Sequence, residues 1–155
     1  MELTTNEDIE APLEAVFAKV SDFDILERSA LRRGVDVRRT DDLHETAAGM
    51  AWTTTFAFRG KTRTADIELT RYEKPEFLTF EGKSGGLDVD LTIELVALSQ
   101  TRTRLTMKVV TRPRTLSARL LMQSLKLAKG NLAKRYKLRI AEYARDIENR
   151  AKRMA

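Results

Sequence analysis

Leu87-Asp88-Val89-Asp90-Leu91-Thr92-Ile93-Glu94-Leu95 decides how the rest of the chain is read. Every second residue is aliphatic, and each residue between carries a carboxylate or a hydroxyl. Successive side chains of a strand point to opposite faces, so this alternation describes one dry face and one wet face. Strands of that kind belong to antiparallel sheets covered on one side.

The same period runs outward from this segment. Upstream, Met50, Trp52, Thr54, Phe56 and Phe58 alternate with Ala51, Thr53, Thr55 and Ala57. Ala65, Ile67 and Leu69 oppose Thr64, Asp66, Glu68 and Thr70, and Leu78 and Phe80 resume the pattern after Pro75. Val35 and Val37 begin the series; Leu105, Met107 and Val109 close it. The connections Arg59-Gly60, Lys74-Pro75, Gly82 to Gly86 and Ser99 to Thr101 are short, which predicts a meander of hairpins.

Beyond Pro113 the period becomes helical. Leu121, Leu125, Ala128, Leu132, Tyr136, Ile140, Tyr143 and Ile147 follow one another at steps of three or four and predict one continuous stripe. A single helix of about 35 residues, about 50 Å long, accounts for it. Ahead of the strands, Glu2 to Glu10 reads as a first strand. Ala11-Pro12-Leu13-Glu14 opens a short helix with Val16, Phe17 and Val20 inward. A second helix spans about Phe23 to Arg32 and stops at Gly34. The order is strand, two helices, about six strands and one long helix. That predicts an α+β fold, with residues 1–155 forming a single domain.

Ile9-Glu10-Ala11-Pro12-Leu13-Glu14-Ala15-Val16-Phe17, followed by Val20-Ser21-Asp22-Phe23, resembles the opening of the START-like (SRPBCC) superfamily. This is the group of polyketide cyclase-like and lipid-transfer-like helix-grip proteins. The element order and the final amphipathic helix match over essentially the whole chain. The resemblance implies a helix-grip fold, a curved antiparallel sheet of about six to seven strands wrapped on a long C-terminal helix. It also implies a cavity between sheet and helix, with a hydrophobic small molecule or lipid as partner. Members bind lipids, sterols, hormones or polyketides and a few are enzymes, so it singles out neither a ligand nor a reaction.

Composition bounds the alternatives. Of 155 residues, 42% are apolar and 33% charged, which describes a soluble globular chain. The absence of cysteine excludes disulfides and thiolate chemistry. No apolar run approaches the roughly 20 residues of a membrane-spanning helix, and Met1 to Thr5 lacks the features of a signal peptide. A cytoplasmic protein is expected. His44 is the one histidine and falls in the polar turn Thr40 to Ala48, without the His or Cys partners a zinc site needs. Ser84-Gly85-Gly86 lacks the rest of a phosphate-binding loop, and no Gly-x-Ser-x-Gly is present. Neither a metal nor a cofactor is expected.

A turn at Arg59-Gly60 would pair Phe58 with Lys61, Phe56 with Arg63, Thr54 with Ala65 and Trp52 with Ile67 on one concave face. Leu91 and Met107 share that face, and the stripe from Leu121 and Leu125 to Ala128 and Leu132 would cover it. The expected cavity wall is therefore Trp52, Thr54, Phe56, Phe58, Arg63, Ile67, Leu91, Met107, Leu121 and Leu125, although any one of them taken singly reads first as plain core. An inward Arg63 has to pair, reach water or meet an anionic ligand. Glu27 and Arg28 would pair with each other or edge the mouth, while Asp66 and Glu68 fall outside.

The strands place no His, Asp or Glu inward. That favours a container over a catalyst, with a polyketide cyclase-like enzyme as the rival. From Thr115 onward eleven Lys or Arg stand against three acids, although the whole chain is only +5. Lys126, Lys129, Lys134, Lys137, Arg145 and Lys152 lie off the stripe and are expected in solvent. An anionic macromolecule or membrane surface is the alternative partner for that face. Nucleic acid is disfavoured, because the outer sheet face has no aromatic stacking platform.

Overall fold

The computed structural model describes residues 1–154. In chain order the elements are β1 (Glu2–Ile9), α1 (Leu13–Val20), α2 (Phe23–Arg32), β2 (Asp36–Arg39), β3 (Ala51–Phe58), β4 (Lys61–Glu73), β5 (Phe77–Ser84), β6 (Leu87–Ser99), β7 (Arg102–Pro113), α3 (Leu116–Leu127) and α4 (Lys129–Met154). The seven strands form one curved antiparallel sheet in the order β1-β7-β6-β5-β4-β3-β2. Strands β2 to β7 meander, and β1 returns to the far edge to pair with β7. With the long α4 this is the helix-grip arrangement.

The hairpin register follows from its turns. Arg59-Gly60 and Gly85-Gly86 are two-residue loops with positive φ throughout (52°, 74°, 53° and 80°), the turn whose twist suits adjoining strands. The first sets Phe58 opposite Lys61, Phe56 opposite Arg63, Thr54 opposite Ala65 and Trp52 opposite Ile67, the pairing predicted from sequence. Arg59 is not glycine, so its left-handed backbone is strained by about 1 kcal/mol. Its guanidinium donates to Ser124 Oγ on α3 at 3.1 Å.

The N-terminal motif is a corner piece. Pro12 precedes the first turn of α1 and turns Val16, Phe17 and Val20 into the core. Ser21 Oγ donates to the Phe17 carbonyl at 2.7 Å, and Asp22 caps α2 by accepting from the Ile25 N–H at 3.3 Å. Thr103 Oγ1, fully buried on β7, donates to the Ala11 carbonyl at 2.8 Å and ties the corner to the sheet. Phe17, Ile9, Leu69, Leu78, Leu95, Leu105 and Ile147 form the driest part of the core.

The C-terminal segment differs from the single helix of about 35 residues predicted from its stripe. It is two helices, parted at Ala128, whose backbone (φ −104°, ψ 16°) leaves the helical region. The Ala128 N–H closes on the Leu125 carbonyl at 3.0 Å, and the Leu132 N–H reopens the ladder on the Ala128 carbonyl at 3.0 Å. The break follows from two docking demands. The start of α3 is fixed at the β5–β6 turn, where Arg114 N–H donates to the Gly86 carbonyl at 2.7 Å and Gly86 leaves no room for a Cβ against Thr115. The 26-residue α4 instead lies along β1 and α1, burying Ile140, Ala144 and Ile147. One straight rod cannot serve both directions. Ala128 is consequently exposed, and Leu132 does not reach the concave face. The six off-stripe basic residues named above are all exposed. No helix among the described residues is long and apolar enough to cross a membrane.

Candidate functional site

Strand β6 shows how the site arises. Its inward residues are one chemical type, yet Leu95 is buried in the core away from any opening while Leu87, Val89, Leu91 and Ile93 line open space. That space is a cavity of about 700 Å³ between the concave sheet, α2, α3 and Tyr143 of α4. From β3, Trp52, Thr54, Phe56 and Phe58 lie on its wall, joined by Arg63 and Ile67 of β4. Leu91, Met107, Leu121 and Leu125 complete the set expected from sequence. The expected cover of Ala128 and Leu132 does not line it, whereas Tyr143 of α4 does.

At one end the rings of Phe23, Trp52 and Phe80 close the cavity, with centroids 5.5 to 6.2 Å apart and tilted or edge-on. At the other end are the β3–β4 and β5–β6 turns, with α3 laid across them and clipped by the Arg59–Ser124 hydrogen bond. Phe58 there remains 38% exposed. The Arg63 guanidinium lies 5.5 Å from the Phe58 ring centroid and donates through Nε to the Phe58 carbonyl at 3.2 Å. Arg63 thus has a partner at the rim.

The notable polar group is one that the strand register could not supply. Glu27, on α2, lines the cavity and accepts from the Trp52 indole N–H at 2.6 Å. The pairing of Glu27 with Arg28 considered above does not form: Arg28 Nε donates instead to the Asp24 carbonyl at 3.3 Å. The signal for Glu27 is present in the helical period. Phe23, Leu26, Glu27 and Ala30 fall at i, i+3, i+4 and i+7, and all four face the cavity. Behind the indole, Arg39 lies 5.8 Å from the ring centroid and donates to Asp41 Oδ1 at 2.9 Å. Asp41 also accepts from the Ala51 and Leu43 N–H groups, so the Arg39 hydrogen bond and these amides hold its carboxyl well below the usual range. His44, on the adjoining loop, is exposed and outside the cavity. Among the described residues no cluster of His, Asp or Glu could hold a metal ion.

Two phenols are shifted by burial. Tyr143 is pushed up to about 12, and so is Tyr136, whose hydroxyl donates to the Met107 carbonyl at 2.6 Å. An unfolded tyrosine ionises near pH 10. Between these values the unfolded chain has lost protons that the folded chain retains, so stability is complete below about pH 10 and falls as pH rises toward 12. Absorbance at the phenolate band should show Tyr136 and Tyr143 titrating late, with their ionisation coinciding with loss of secondary structure. Early, reversible titration of Tyr136 and Tyr143 would contradict the packing described.

Similar architecture occurs in several solved structures. A protein from Thermus thermophilus aligns over 100% of this chain and 99% of its own, with TM-score 0.68 and 15% identity. The Zhui aromatase/cyclase from Streptomyces sp. R1128 aligns over 99% and 94%, with TM-score 0.62 and 12% identity. A START superfamily protein from Mycobacterium smegmatis aligns over 86% and 95%, with TM-score 0.54 and 12% identity. At these identities the likeness is one of fold. Comparison with curated proteins finds none that matches. The family profile described as polyketide cyclase / dehydrase and lipid transport matches residues 1–148.

Proposed function

Because this chain belongs to the polyketide cyclase / dehydrase and lipid transport family, we propose that it binds a hydrophobic small molecule or lipid, as one cytoplasmic domain, in the cavity between sheet and helices. The observation that carries this reading is the cavity of about 700 Å³, walled by aliphatic and aromatic side chains with few polar groups. An apolar ligand gains roughly 25 cal/mol for each Å² it withdraws from water there. Polar groups at the two ends favour one orientation. Along β3, the step from Trp52 to Phe56, the partner of Arg63, spans about 13 Å. A ligand acid or carbonyl is suited to the Arg63 end, and a hydroxyl or amine donor to Glu27.

Trp52 is the only tryptophan and lies in the wall, so it reports directly. Titration with a bromine-labelled stearate should quench its emission saturably near one equivalent, and unlabelled fatty acid should reverse the effect. Flat, non-saturating quenching would sink the proposal. Replacing Glu27 with Gln keeps an oxygen for the indole N–H and removes the charge. The Glu27→Gln variant should bind a long-chain amine about 10-fold more weakly, the scale of a charged hydrogen bond, with little change for a fatty acid. Equal effects on both would remove the assigned orientation.

A second reading, a polyketide cyclase-like enzyme, is favoured by one observation: Glu27 brings a carboxyl acid/base group to a largely apolar wall. In that case Glu27→Gln should abolish turnover of a poly-β-keto thioester analogue while leaving its binding within a few fold.

A further inference from the structure

Helix α3 is apolar on two opposite sides. With 3.6 residues per turn, Leu116, Leu120 and Leu127 fall within about 40° of one another, and Ala118, Leu121, Met122 and Leu125 lie across the axis. The inner set is accounted for, because Ala118 and Met122 are buried and Leu121 and Leu125 line the cavity. The outer set is not: Leu116, Leu120 and Leu127 are 73%, 59% and 92% exposed. Scattered exposed leucines are ordinary, but three along one face of one helix make a patch.

The charge around the patch is of one sign. Arg119 and Lys126 border the leucine stripe, about 80–100° from its centre, and Lys129 follows directly. From Leu95 to Ala141 the chain contains no acidic residue at all. We propose that α3 is an interfacial helix that docks flat on an anionic phospholipid bilayer. Leu116, Leu120 and Leu127 enter the boundary of the acyl region, and Arg119, Lys126 and Lys129 meet lipid phosphates.

The competing occupants fit less well. Face-to-face pairing of two copies would bring four bordering cations to a seam without a carboxylate on α3. A helix of 12 residues also offers far less than the about 800 Å² per partner of a stable interface. Nucleic acid would satisfy the cations and leave the leucines in water. Docking does not depend on the cavity being filled. If it is, the bilayer face and the cavity face are separated by one helix, about 10 Å thick, and exchange of a lipid would proceed past α3.

The test is co-sedimentation of the full chain with vesicles of phosphatidylcholine containing about a third phosphatidylglycerol, against phosphatidylcholine alone. Binding should be at least about 10-fold stronger to the mixed vesicles and weaken with salt. The double variant Leu120→Ser, Leu127→Ser should bind about 100-fold less. Both positions are exposed and outside the cavity, so circular dichroism and Trp52 quenching by bromo-stearate should be unchanged. Retained quenching with lost sedimentation therefore separates this proposal from the cavity reading. Three results overturn it: no binding to either vesicle, binding indifferent to the leucines, or light scattering that shows a dimer dissolved by the same substitutions.

Discussion

Substituting Ala65 with Trp should abolish ligand uptake and leave the protein folded. Ala65 sits on β4 opposite Thr54, midway between the Trp52 end and the Arg63 end, and its methyl group faces the cavity. An indole built there projects into space that holds no protein atoms. The usual cost of enlarging a core residue comes from forcing neighbours off their rotamers, and that cost is small where the volume is empty. The ligand instead loses the middle of its site. Displacing on the order of 100 Å² of apolar contact at roughly 25 cal/mol per Å² weakens binding about 100-fold, and a rigid ligand that cannot shorten itself loses more. Calorimetric titration with a fatty acid avoids interference from the added indole, and native mass spectrometry should show loss of the one-to-one complex. The melting temperature should be unchanged or raised by a few degrees. Undiminished affinity in a folded Ala65→Trp protein would place the ligand elsewhere.

Removing the ring of Phe17 should have the opposite profile, a severe loss of stability. Phe17 is 2% exposed, packs 5.5 Å from the Tyr72 ring and lies where α1 meets the core. Phe17 belongs to the buried hydrophobic cluster, so the void left by Phe17→Ala closes only in part. Such truncations cost about 3–5 kcal/mol, a large share of the 5–15 kcal/mol typical of a whole domain. With a urea dependence of about 1–3 kcal/mol/M, the midpoint should fall by at least about 1 M. A loss below about 1 kcal/mol would mean that the α1 corner is not part of the cooperative core. Phe58 is the useful contrast: the same side chain at the cavity rim, 38% exposed, has little burial to lose.

That contrast also shows where sequence reading stops. Phe17 and Phe58 both occupy apolar positions of correct periodicity, and periodicity reports only the direction in which a side chain points. The hairpin at Arg59-Gly60 is legible because a two-residue turn leaves one register available, and from it the pairs Trp52–Ile67 and Phe56–Arg63 follow directly. Glu27 escapes the strand register because, among the described residues, the one acid lining the cavity is carried by a helix. Its spacing from Phe23 and Leu26 points to the cavity once α2 is known to pack there. The break at Ala128 has no local signal beyond Gly130 two residues later, since Ala128 is itself a strong helix former.

The meander of strands, the β3–β4 register and the inward faces of β2 to β7 were determined by sequence alone, through the periods 2 and 3.6 and the residues of the turns. Three things depended on tertiary structure. One was that the inward face of β6 is core at Leu95 and cavity wall at Leu91. Another was that the terminal stripe divides between α3 and α4. The last was that α3 lies across two turns with three leucines left outside. The reason is the same for all three. Alternation is a local property set by the geometry of one backbone, whereas an empty volume or an uncovered face depends on how far apart separate elements are held. Here that spacing is set by the β5–β6 turn, the Arg59–Ser124 hydrogen bond and the packing of α4 on β1.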